Sequence, residues 1–184
     1  MLTHKGTVTL KTERLVLRKV EPGDAQTMFD AYANDPRVTK FLSWSPHGDV
    51  KNTRALLESW EKEYEKPDCY NWAITLGRRM IGAIGAVSVN DRDERCEIGY
   101  CVAYDYWGKG IMTEALRAVL RFLFDEVGMR RVMARHDTAN PASGRVMQKC
   151  GMTYEGTLRS WHTRNDGSVG DAKVYSILRD EFRA

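Results

Sequence analysis

No stretch of the 184 residues approaches the ~18 uninterrupted apolar residues of a membrane helix, and the opening MLTHKGTVTL has no apolar core followed by a cleavage site. A cytoplasmic protein is the expectation. Four cysteines, Cys69, Cys96, Cys101 and Cys150, include no CxxC pair, and His4, His47, His136 and His162 form no HExxH pair, so no metal is expected. Repeats, low-complexity tracts and linker-like segments are missing as well. An excess of one charge is also lacking. The 28 Lys and Arg against 25 Asp and Glu leave +3, spread along the chain, which gives no footprint for nucleic acid and is compatible with an anionic ligand. What is present, 42% hydrophobic residues, suits one compact domain over residues 1–184.

Apolar periodicity divides that domain into alternating elements. RLVLRKV (14–20) alternates as a strand, and Ala25, Met28, Phe29, Tyr32 and Ala33 follow at helical spacing. A second helix from about Asn52 carries Leu56, Leu57, Trp60 and Tyr64 on one face and ends at Pro67. YNWAITL, MIGAIGAVSV and CEIGYCV read as three antiparallel strands, and Gly82 and Gly85 in the middle one predict close approach by another backbone. Met112 to Val127 keeps helical spacing throughout, and RRVMARH is a further strand. NPASGRVMQKCG opens a helix with Asn140 as its cap, and a hairpin turning at NDG ends the chain. The order is strand, two helices, three strands, helix, strand, helix, two strands.

YWGKGIMTEA stands where the fourth strand hands over to the long helix. A glycine-rich turn at a helix start presents unpaired N–H groups and the positive end of the helix dipole, a setting suited to phosphate. The stretch is not a nucleotide-triphosphate P-loop, because Gly110 follows Lys109 where Ser or Thr is needed. It also lacks the third glycine of a dinucleotide fingerprint.

At this point the chain resembles the GCN5-related N-acetyltransferases (GNAT), and most closely their RimJ/RimL-like ribosomal-protein branch. TERLVLRKVEPGDA, EIGYCVAYDYWGKGIMTEAL and NPASGRVMQKCGMTYEGTLR carry the resemblance, in the family's order and spacing. It implies a mixed α+β fold: a central, mostly antiparallel seven-stranded twisted sheet with four flanking helices, splayed between strands 4 and 5. It also implies acetyl-CoA as cosubstrate, held by the backbone of Tyr100, Cys101 and Val102, by the pyrophosphate loop Trp107, Gly108, Lys109, Gly110, Ile111 and Met112, and by Asn140, with Lys149 or Arg145 meeting a phosphate. Trp107 and Met112 depart from the family's loop pattern at its two ends.

The implied chemistry is direct attack of a neutral amine on the thioester, which calls for a proton donor and a base. Many relatives place a tyrosine acid where this chain has Met147, so Ser143 is the acid expected here. Glu97 and His162 are the two candidate bases, and the sequence does not choose between them. An α-amine is about 14% neutral at pH 7 and a lysine amine about 0.04%, so an α-amine asks less of the base. Trp44 and Trp161 are expected to line the acceptor site. The implied partners are acetyl-CoA and an amine acceptor, foremost a protein N-terminal α-amine of the ribosomal-protein-alanine type. A small-molecule amine such as an antibiotic or polyamine is the alternative, and a non-catalytic acyl-CoA sensor is the reading from another class. A homodimer is common in such families, and neither nucleic acid nor membrane is an expected direct partner.

Overall fold

The computed structural model describes residues 1–183. An eight-stranded sheet runs in the order β1-β2-β3-β4-β5-β6-β8-β7. Its strands are β1 (Leu10–Lys11), β2 (Leu15–Arg18), β3 (Asn71–Leu76), β4 (Arg79–Asn90), β5 (Arg95–Val102), β6 (Arg131–Asp137), β7 (Thr153–Thr163) and β8 (Val169–Leu178). Every pairing is antiparallel except β5 with β6. The strand beyond the expected seven is β1, whose two residues are too few for alternation to mark. The extra edge strand moves the parallel pair from fourth and fifth place to fifth and sixth.

The helices are α1 (Asp24–Met28), continued by a π-wound turn Phe29–Ala33, then α2 (Pro36–Thr39), α3 (Val50–Glu63), α4 (Ile111–Arg121) and α5 (Pro141–Lys149). Four are the expected ones. The fifth, α2, is a single turn started by Asp35, which caps Arg37 N–H, and by Pro36. Helix α4 runs into a second π-wound stretch, Phe122–Val127, and stops at Gly128 in the left-handed region (φ 89°).

Alternation along the central strands buries both faces of the sheet. Trp72, Ile74, Ile84 and Ile98 join Leu116, Leu120 and Met147 in a core under α4 and α5. On the opposite face Ala73, Met80, Ala83 and Ala103 join Met28, Tyr32 and Leu57 under α1 and α3. The two strand glycines are required by space: a Cβ on Gly82 would lie 2.5 Å from the Cys101 carbonyl oxygen, and one on Gly85 2.7 Å from that of Tyr70. No helix among the described residues is long and apolar enough to cross a membrane.

The parallel pair positions the site. Strands β5 and β6 pair only from Arg95–Glu97 against Arg131–Met133, although both continue well beyond. Past Glu97 the two strands are unpaired, and the edge of β5 from Ile98 to Val102 is open.

Candidate active site

Strand parity decides which backbone groups face that opening. Ala103 N–H donates to Ile81 carbonyl at 2.8 Å, and the same register sets Cys101 opposite Ala83. In an antiparallel ladder hydrogen-bonded pairs alternate, so Cys101 turns its backbone groups toward β4, while Tyr100 and Val102 turn theirs toward the opening. The expected contribution of the Cys101 backbone is therefore corrected: its N–H and carbonyl serve the sheet. Its thiol, pushed up to about 12 by burial, is no thiolate nucleophile either. The Val102 carbonyl accepts the Trp107 indole N–H at 2.9 Å, so the departure at the first loop position fixes the loop to its strand.

The loop that follows is left-handed at both glycines, φ 71° at Gly108 and 77° at Gly110. A Cβ at Gly108 would meet nothing within 4 Å and one at Gly110 only Arg14 Nη2 at 3.5 Å, so backbone conformation and not space demands glycine. The turn leaves the N–H groups of Gly108, Lys109, Gly110, Ile111, Met112 and Thr113 without an acceptor among the described residues. Ile111 and Met112 direct their side chains into the core. Met112, the departure at the other end, therefore contributes its backbone to the loop and its bulk to packing. The Lys109 ammonium lies 5.7 Å from the Tyr106 ring centroid.

Two residues near the N-terminus brace this loop. Arg14 donates from Nη1 to Lys109 carbonyl at 3.0 Å and from Nε to Glu114 Oε2 at 2.6 Å, and Thr12 Oγ1 donates to Glu114 Oε1 at 2.6 Å. Glu114 sits in the first turn of α4, where negative charge is favourable. A separation of about a hundred residues left this brace without any sequence signal.

Across the opening, Asn140 caps α5, with Oδ1 3.4 Å from Ser143 N–H. Ser143 Oγ donates to Tyr100 Oη at 3.1 Å, and Tyr100 O–H donates to Ser143 carbonyl at 3.0 Å. This pair ties β5 to α5 across the splayed strands. Burial holds the Tyr100 phenol well above its usual range, so it stays protonated. Sequence reasoning had used only its backbone. Met147, where many relatives place tyrosine, is buried in the core.

The candidate bases lie in different surroundings. Both Glu97 oxygens accept from Arg135, at 2.7 and 2.9 Å, and the Arg135 guanidinium in turn lies 4.5 Å from the Trp161 ring centroid. That ion pair occupies the Glu97 carboxylate, one of the two candidate bases. His162 Nε2 meets Asp137 Oδ2 at 2.9 Å, and its Nδ1 has no partner among the described residues. Asp137 also receives Arg164 Nε at 2.6 Å, Arg164 Nη2 at 3.0 Å and Ala139 N–H at 2.7 Å. Burial by itself would raise this carboxyl; the Arg164, Ala139 and His162 hydrogen bonds outweigh it and bring the pKa down to about 2.

Two cavities meet at the opening. One, of about 240 Å³, is lined by Val102, Gly108, Gly110, Asn140, Arg145 and Lys149 among others. The second, of about 570 Å³, lies on the α1–α3 side and includes Tyr32, Trp44, Trp60 and Gly99. Leu42, Tyr100 and Cys101 line both. Trp44, expected to line the acceptor site, lines the second cavity. Trp161 does not: it borders neither cavity and is half exposed under Arg135, which corrects its expected lining role. Lys149 lines the smaller cavity while its carbonyl accepts from Arg117 at 2.7 Å.

A phosphate-ready turn opening a helix beside a splayed pair of parallel strands is an arrangement shared with known proteins. The model of the Acetyltransferase (GNAT) domain matches residues 14–153. The chain belongs to the GNAT family. It is 30% identical to the N-acetyltransferase YoaA of Bacillus subtilis over 92% of this chain and 96% of that one. A solved GNAT-family acetyltransferase from Bacillus anthracis superposes with a TM-score of 0.82 at 27% identity, covering 95% of this chain and all of that one. The [ribosomal protein uS5]-alanine N-acetyltransferase of Escherichia coli is 26% identical over 84% of this chain and 82% of its own. As a GNAT member the chain is an acetyl-CoA-dependent N-acetyltransferase.

Proposed function

We propose that the chain acetylates a protein N-terminal α-amine, with the ribosomal-protein-alanine type as the leading class. The observation that carries the coenzyme site is the row of unpaired N–H groups from Gly108 to Thr113, bordering a cavity that also holds Arg145 and Lys149. A pyrophosphate fits that donor set, and a pantetheine arm fits the outward backbone groups of Tyr100 and the Val102 N–H, the Val102 carbonyl being held by Trp107. Bound acetyl-CoA supplies the activated acetyl group. Ser143 lines the coenzyme cavity and is the proton donor once its hydroxyl turns from Tyr100 Oη; His162, which borders neither cavity, acts as the base through an intervening water, because its Nδ1 is unpaired while both Glu97 oxygens are occupied. Asp137 selects the tautomer: with Nε2–H donating to the carboxylate, Nδ1 keeps its lone pair.

A His162→Ala variant is then expected to lose about ten- to thirty-fold in kcat/KM. This is below the usual hundred-fold for a general base because part of an α-amine is already neutral. Initial-rate kinetics with an N-terminal peptide as acceptor read the loss, and a wild-type kcat/KM in the variant removes His162 from the role.

One observation favours a second acceptor class. The larger cavity, walled by Trp44 and Trp60, has the size of a site for a small organic ligand, which supports a small-molecule amine. Thiol release from acetyl-CoA with a panel of N-terminal peptides, amino sugars and polyamines separates the readings. Peptide turnover is the expected result. Turnover of only amino sugars or polyamines would move the assignment to the small-molecule class, and coenzyme binding with no turnover would identify an acyl-CoA sensor.

A further inference from the structure

Tyr32 is a buried phenol that the reaction described so far does not use. Its side chain is fully buried, and its hydroxyl has no hydrogen-bond partner, one of two such buried side-chain atoms among the described residues. An unpaired buried hydroxyl is a costly arrangement and needs a reason. The residue lies in the π-wound turn Phe29–Ala33, a distortion that recurs at functional sites because it re-aims one side chain. It lines the larger cavity and packs in one cluster with Val38, Leu42 and Cys101, all of which border the coenzyme cavity. Burial, with the neighbouring Cys101 next, holds the phenol well above its usual range, so the hydroxyl keeps its proton.

A group seated where the two cavities meet needs a donor; the Cys101 backbone N–H is committed to β4, and the outward N–H groups of Tyr100 and Val102 are assigned above to the pantetheine arm. We propose that the Tyr32 hydroxyl donates a hydrogen bond to the acetyl carbonyl oxygen of bound acetyl-CoA. The bond polarises the carbonyl and strengthens as negative charge develops on that oxygen during attack. It also distinguishes the acetylated coenzyme from the spent one, since free CoA has no carbonyl there. This inference rests on the coenzyme site proposed above.

The test is Tyr32→Phe, measured by calorimetric titration with acetyl-CoA and with CoA. Expected is a roughly five-fold weaker affinity for acetyl-CoA, with CoA affinity unchanged. The melting temperature of the unliganded variant should stay level or rise, because no hydrogen bond is lost. Isotope-edited infrared spectra of acetyl-CoA labelled at the carbonyl should place the bound carbonyl stretch lower in the wild type than in the variant. Equal affinities for acetyl-CoA in both proteins, equal losses for both coenzymes, or identical carbonyl stretches would overturn the proposal. Failure of the wild type to bind either coenzyme would instead overturn the coenzyme site itself, so the two outcomes are distinguishable.

Discussion

Replacing Gly110 with valine is expected to lower acetyl-CoA affinity at least a hundred-fold while leaving the far-ultraviolet circular dichroism spectrum unchanged. Gly110 is the N-cap of α4 at φ 77°, a conformation that costs an L-residue about 1–2 kcal/mol and a β-branched one more. Valine escapes that strain by rotating the peptide planes on either side, which turns the Gly110 and Ile111 N–H groups away from the cavity. Each charge-assisted N–H contact to a phosphate is worth roughly 1.5–3 kcal/mol, so losing two removes at least ~3 kcal/mol. The core face of α4 begins with Ile111 and Met112 but continues through Ala115, Leu116, Val119 and Leu120, all buried, so the helix keeps its seat when its first turn shifts. Gly110→Ala, with the smaller penalty, should lie between the two. Calorimetric titration reads both variants, and a valine variant within ten-fold of wild-type affinity would refute the role assigned to the loop.

The second large effect falls on stability. An Asp137→Ala variant should unfold with roughly 3–5 kcal/mol less stability, a fall in Tm on the order of 10 °C. The Asp137 carboxylate has no solvent exposure and accepts from Arg164, His162 and Ala139 N–H, so its removal leaves a cation and a backbone donor without their partner. Acid should do to the wild type part of what the mutation does. The folded-state pKa, about 2, lies below the ordinary 3.8, so the carboxylate's contribution is full above about pH 4 and fades as pH falls toward 2. That shift corresponds to about 2 kcal/mol. The variant lacks the group and should show none of this component. Urea unfolding across that range decides it, and a loss under 1 kcal/mol at neutral pH would show that the cluster is not a structural anchor.

The consequence of that anchor reaches the acceptor side. Arg164 belongs to the turn of the β7–β8 hairpin, and the next residue, Asn165, donates from Nδ2 to the Thr39 and Trp44 carbonyls, both at 2.9 Å. Asp137 therefore holds the hairpin, and the hairpin holds the loop that carries Leu42 and Trp44 to the cavities. Weakening the cluster should loosen the acceptor wall before it unfolds the sheet.

Much of this was legible along the chain because it is local. Apolar spacing in Met112–Val127 places one continuous helical face in the core, and the structure keeps that face through the change from α to π winding. Asn140, by its side-chain oxygen, and Pro141, by its fixed backbone angle, mark a helix start, and Gly108 with Gly110 mark a turn that only glycine adopts without strain. The turn proposed to hold the coenzyme could be located for the same reason, since its neighbouring residues set the direction of its backbone N–H groups.

Contacts made across the fold had no such mark. Whether Glu97 is free depended on Arg135, brought beside it where β5 and β6 part, and whether Trp161 faces the acceptor depended on the same guanidinium. The pairing of Tyr100 with Ser143, the brace from Arg14 to Glu114 and the unpartnered hydroxyl of Tyr32 likewise join or isolate groups far apart in the chain. The sequence by itself determined the longer elements, their order and the glycine turn at the head of α4, because each follows from the periodicity and backbone preference of neighbouring residues. Which side chains are occupied and which are left with a free proton or lone pair was decided only by the tertiary structure, because a hydrogen bond depends on the partner that folding delivers.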